Sequence, residues 1–131
     1  MIGLDTNVLV RYIMQDDAKQ AKLATKLVEA LTEQAPGFIS LVTIVELSWV
    51  LESAFGLSRS QIVAVVQRLM AVDVFKLDRV SVVAAAVRAY GEGKADIADY
   101  LIERSCAHFG CTRTMTFDKT AAKSSGMVLI Q

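Results

Sequence analysis

One proline, one histidine and two cysteines are all this 131-residue chain has of those types, and its charges cancel. Each scarcity excludes something. A lone histidine, His108, rules out an HExxH or paired-histidine zinc site. Lying beside Phe109 on a late segment, it is expected to be a surface or satisfied histidine rather than a catalytic base. Cys106 and Cys111 fit neither a CxxC metal motif nor the disulfide framework of a small secreted domain, and read as buried or half-buried thiols in a reducing compartment. Fourteen Lys and Arg balance fourteen Asp and Glu. A protein that coats nucleic acid in bulk is therefore excluded, although a nuclease gripping a short stretch of strand is not. No run reaches the roughly 18 apolar residues of a membrane span. Asp5 and Arg11 interrupt the apolar N-terminus, so no signal peptide is expected and the cytoplasm is the expected location. GxSxG, Walker A and GxGxxG motifs are absent, leaving serine-hydrolase, P-loop and dinucleotide chemistry without support.

What is present is a chain rich in apolar residues, at 53%, which makes disorder untenable. Short apolar or β-branched runs at 1–4, 38–41, 72–77, 112–117 and 127–130 are expected strands. Between them, helical periodicity predicts helices over 8–14, 18–34 and 43–55, the second closed by Pro36-Gly37 and the third by Gly56. Further helices are predicted from Ser58 to about Met70, from Asp78 to about Gly91, and from Asp96 to Phe109 with a stop at Gly110. The order is β-α-α-β-α-α-β-α-α-β-α-β. Short strands alternating with helices imply a parallel sheet covered on both faces. With no repeat or linker, residues 1–131 are expected to form a single domain.

Four acidic signatures punctuate this pattern: LDTN at Asp5, TIVE at Glu46, ADIAD at Asp96 and Asp99, and TFDK at Asp118. Each has an ordinary explanation. Asp5 suits a helix N-cap, Glu46 the last position of a capping box begun by Thr43, and Asp118 a turn. Asp96 and Asp99 fit a helix start, where the dipole favours negative charge. Spaced three apart, however, they share a helix face about 5–6 Å apart and repel each other. If the strands form one parallel sheet, all these positions gather at one edge, outside the carboxyl ends of the strands, where ligands bind. Carboxylates converging there call for a cation, and oxygen donors with water are what Mg²⁺ or Mn²⁺ prefers. Thr6, Asn7 and Thr116 can add hydroxyl and amide contacts around such a site. Arg11, Lys94, Arg113 and Lys119 are the nearest cations in sequence, each a candidate for holding an RNA backbone or simply a solubilising charge.

The segments LDTNVLVRYI, SLVTIVEL, KADIADYLIE and TMTFDKTAA resemble, in order and spacing, the four signatures of PIN-domain nucleases. Within that superfamily the chain is most similar to VapC-type toxins of prokaryotic type II toxin–antitoxin pairs. The resemblance implies a three-layer α/β/α sandwich around a central, mainly parallel sheet of four to five short strands. It implies a Mg²⁺- or Mn²⁺-dependent endoribonuclease with Asp5, Glu46, Asp99 and Asp118 as the catalytic acids. Asp5, Asp118 and one of Asp99 and Asp96 would be direct metal ligands. Asp99 is favoured, with Asp96 then contributing through water, and Glu46 would be a further ligand or the orienter of the attacking water. It also implies a cognate antitoxin that covers the acidic groove. Helices 18–34 and 58–70 carry apolar surface suited to antitoxin binding and to a homodimer contact. The third signature departs from the subgroup's usual GADFADAL, with Lys94 for Gly, Ile97 for Phe and Tyr100 for a small residue. The acids survive these changes, and Tyr100 is expected to alter packing beside them. Two alternatives stand beside this reading: a catalytically silent binding module of the same fold, and a PIN nuclease acting on DNA.

Overall fold

At three of the four strand-to-helix junctions a single capping side chain, Asp5, Ser40 or Asp118, sets where the helix begins. The computed structural model describes all 131 residues, as two compact units, Met1–Asp78 and Arg79–Gln131.

In the first unit, β1 (Ile2–Gly3), β2 (Gly37–Ile39) and β3 (Phe75–Leu77) form a parallel sheet in the order β1-β2-β3. Ile2 lies opposite Gly37, and Phe38 opposite Lys76. A Cβ at Gly37 would stand 2.6 Å from Leu4 Cδ1, so a larger residue there would force the Leu4 side chain to shift. Helices α1 (Thr6–Met14) and α2 (Ala18–Glu29) connect β1 to β2, and α3 (Leu41–Ser53) and α4 (Arg59–Ala71) connect β2 to β3. Leu9, Ile39, Ile44, Leu47, Leu51, Ile62 and Val66 are completely buried. At about 1.5–3 kcal/mol for each such side chain, they supply the main driving force of this unit.

Several boundaries differ from the sequence expectation, three of them for reasons visible in the hydrogen bonds. Helix α2 stops at Glu29 rather than running to residue 34. Past it the chain tightens, with Leu31 N–H donating to Val28 O, and Thr32 and Ala35 then exchange backbone hydrogen bonds of 3.2 Å each way. The Thr32 hydroxyl also accepts from Ala35 N–H at 3.0 Å. A local threonine turn thus ends the helix before the proline is reached. Helix α3 begins at Leu41, two residues early, because Ser40 rather than Thr43 is its N-cap, the Ser40 hydroxyl accepting from Thr43 N–H at 3.1 Å. Strand β3 is shorter than expected because a turn, Phe75 N–H to Val72 O, occupies its start.

The second unit holds α5 (Val80–Glu92), α6 (Ile97–Phe109), β4 (Met115–Thr116), α7 (Lys119–Ser124) and β5 (Val128–Leu129), with β4 and β5 paired in parallel. Helix α5 starts after Arg79, at φ +47°, and not at Asp78. Its buried Val82, Val83, Ala86 and Val87 share the core of the unit with Ile97 and Leu101 of α6. Tyr90 meets Tyr100 edge to face, with ring centroids 6.4 Å apart. Tyr100, one of three residues that depart from the motif the third signature resembles, is buried and its hydroxyl accepts from Ala95 N–H. A Cβ on Gly93 would fall 1.8 Å from that hydroxyl oxygen. The large side chain at 100 is therefore accommodated by the missing one at 93.

All twelve elements occur in the predicted order, every strand pair is parallel, and the class is α/β. The ladders are three-stranded and two-stranded, where one sheet of four to five strands was expected. No helix is long and apolar enough to cross a membrane.

Gly93→Ala is expected to destabilise the protein by about 1–3 kcal/mol through overpacking. Removing the obstructing oxygen with Tyr100→Phe makes the double variant lose less than the two single losses combined. Urea unfolding of the four proteins measures this coupling, and strict additivity would contradict the proposed fit.

Candidate active site

Each acidic signature meets the backbone in its own way. In the first unit, Asp5 follows β1 and caps α1, with Oδ1 accepting from Thr6 N–H at 2.9 Å. Its partner in sequence logic, Glu46, turns out not to be a capping residue. Because Ser40 caps α3, Glu46 lies in the second turn of that helix, exposed, and beyond the reach of the N-cap amide. Its Oε1 instead accepts the hydroxyl proton of buried Thr6 at 2.8 Å. Thr6 therefore touches both acids: the N–H goes to Asp5 and the hydroxyl to Glu46. Asn7 is exposed, beside a groove lined by Val8, Arg11, Leu23 and Leu27.

In the second unit, Asp96 is the N-cap of α6 and Asp99 sits three residues later, its Oδ2 accepting from Asp96 N–H at 3.3 Å. Asp118 follows β4 and caps α7, Oδ1 accepting from Ala121 N–H at 2.9 Å. The Thr116 hydroxyl accepts from Asp118 N–H at 2.9 Å, which fixes the turn that carries the carboxylate. Asp96 and Asp118 are exposed and Asp99 is half-buried. Burial raises the Asp99 carboxyl above its ordinary 3.8; the hydrogen bond from Asp96 N–H opposes this, and the charges of Asp118 and Asp96 raise it further. The charges of Asp118 and Asp96 thus both reach Asp99.

A common pattern emerges. Asp5, Glu46, Asp99 and Asp118 each commit one carboxylate oxygen to a donor in the protein, and the second oxygen takes no hydrogen bond from it. Cap and ligand are therefore compatible roles for one residue: the first oxygen orients, the second is available. The structure gathers no group of three or more Asp, Glu, His or Cys side chains arranged to hold a metal ion. The donor chemistry nevertheless fits a hard divalent cation, since Mg²⁺ commonly takes one or two carboxylates and completes its shell with water and substrate phosphate.

The candidate RNA-holding cations divide. Arg11 is engaged, paired with Asp16 and donating from Nε to Gln20 Oε1 at 2.6 Å, so it ties α1 to α2. Lys94, Arg113 and Lys119 are exposed. His108 is exposed near the C-terminus of α6, as expected of a surface histidine.

A PIN-domain family model matches residues 2–125. The chain belongs to the PIN domain family. The match spans both compact units. PIN domains are generally metal-dependent nucleases, which places the chain among the hydrolases of nucleic acid. No curated protein matches the chain.

The raised Asp99 carboxyl has a measurable sign. Its contribution to stability is greatest below pH 3.8 and is lost as pH rises through the higher folded-state value. In metal-free protein, Asp99→Asn is therefore expected to be more stable than the parent at neutral pH, with the difference vanishing in acid. Thermal unfolding of both proteins across that range checks it, and a less stable variant at pH 7 would refute the repulsion.

Proposed function

We propose that this PIN domain is a Mg²⁺- or Mn²⁺-dependent endoribonuclease, acting in the cytoplasm as the toxin of a type II toxin–antitoxin pair. Its catalytic carboxylates are Asp5, Glu46, Asp99 and Asp118. Asp5, Asp99 and Asp118 are the direct metal ligands and Asp96 acts through water. Residues 1–131 function as a single domain, a reading supported by one family match that crosses both units.

The observation that carries the reading is the Asp99 carboxyl, half-buried in the first turn of α6 beside Asp96. Burial first, and then the charges of Asp118 and Asp96, work against its ionised form, and a cation relieves that. When bound, such a cation lowers the pKa of an attacking water and neutralises charge developing on the phosphate. The residues of the chain do the rest. The Thr6 hydroxyl holds Glu46 by one oxygen, leaving the other to orient the water and accept its proton. The cap from Thr6 N–H fixes the Asp5 carboxylate. The Thr116 hydroxyl fixes the backbone of Asp118. Lys94, Arg113 and Lys119 hold backbone phosphates of the strand; Arg11, already paired, serves the α1–α2 junction instead.

The partners follow from exposed apolar surface. Leu23 and Leu27 on α2 are exposed beside Val8. A cavity of about 620 Å³ lies along α4, lined by Tyr12, Ile13, Val65, Leu69 and Phe75. These surfaces suit a cognate antitoxin and a second copy of the chain, respectively.

Cleavage of matched single-stranded RNA and DNA oligonucleotides with Mg²⁺ or Mn²⁺ tests the activity. The expected result is RNA cleavage that EDTA abolishes and that Asp5→Asn lowers by at least about a hundredfold. Equal cleavage by the variant sinks the metal mechanism. Preferential cleavage of DNA replaces the substrate, and an inert folded protein returns the silent binding module.

A further inference from the structure

Helix α6 ends in a geometry that joins the only two cysteines of the chain. Gly110 adopts φ +107°, a conformation natural to glycine. Its N–H donates to Ala107 O at 3.1 Å, and the next N–H, that of Cys111, donates to Cys106 O at 3.0 Å. These paired bonds are the Schellman termination, in which the side chains flanking the longer bond are commonly in contact. Here those two positions are Cys106 and Cys111. With standard bond lengths, the hydrogen bond between them keeps their Cα atoms within about 7 Å, inside the limit for a disulfide. Both are free thiols, Cys106 half-buried and Cys111 exposed.

We propose that Cys106 and Cys111 are a thiol–disulfide modification site, closed by exchange with a small organic disulfide. The exposed Cys111 sulfur attacks first, forming a mixed disulfide and releasing one thiol of the reagent. Cys106 then displaces the second. The protein loses two protons and two electrons, and the reagent disulfide takes up both in becoming two thiols. The helix end already holds the two backbones within disulfide range, which shortens the search for closure. The resulting bridge clamps residues 106–111, the turn from which the chain continues through Arg113 to β4 and Asp118. The proposal does not depend on the nuclease reading.

Incubation of the intact protein with oxidised glutathione, acid quenching and intact-mass measurement test it. The parent is expected to lose the mass of two hydrogens without retaining an adduct. Cys106→Ser is expected to stop at one glutathione, carried by Cys111. Closure in the native protein is expected to run at least about tenfold faster than in urea, where the helix end is lost. A stable glutathione adduct on the parent, a disulfide-linked dimer in place of the internal bridge, or equal rates in the native and urea-unfolded protein would each overturn the proposal.

Discussion

A carboxylate has two oxygens, and this fold uses them differently. At Asp5 and Asp118 the first oxygen satisfies an N–H that the start of a helix would otherwise leave unbonded, just after a parallel strand ends. Those bonds set where α1 and α7 begin, and hence the direction in which each helix leaves its strand. The remaining oxygen is held out by the same constraint. Site and scaffold are therefore the same residues, and the acids cannot be displaced without moving the helices they cap. Asparagine at either position keeps an acceptor oxygen while removing the charge, which separates the two duties.

Local chemistry made most of the architecture legible. Ser58 announces α4, where the structure adds a capping box with Gln61, and Gly110 announces the end of α6; both boundaries appear where expected. Errors arose where two residues of equal competence compete for one role. Ser40 and Thr43 are both good N-caps three residues apart, and the choice of Ser40 removes Glu46 from the capping box to which its spacing assigned it. Thr32 ended α2 before Pro36 could, because a side-chain turn is invisible to helical periodicity. The Thr6–Glu46 bond spans 40 positions, and nothing in either local sequence encodes it. The acids themselves were legible one by one, each with an ordinary use, and the structure shows most of those ordinary uses to be real.

Net neutrality conceals an uneven distribution of charge. The first unit carries nine Asp and Glu against seven Lys and Arg, and the second five against seven. The excess of cations thus falls in the unit that holds Lys94, Arg113 and Lys119, while the Arg11 charge of the first unit is partly consumed by Asp16. A shallow salt dependence of polyanion binding is the physical corollary, because three cations at the site displace few counterions.

The contact between Gly93 and the Tyr100 hydroxyl reaches beyond stability. Two positions that share one volume cannot drift independently. A lineage that acquires the tyrosine loses stability with any side chain at 93, and one with a small residue at 100 does not. Such a pair leaves a signature of correlated substitution beside the ADIAD segment while the acids themselves stay unchanged. Divergence around this site is thereby channelled into its packing, where access to the carboxylates can change without touching the carboxylates.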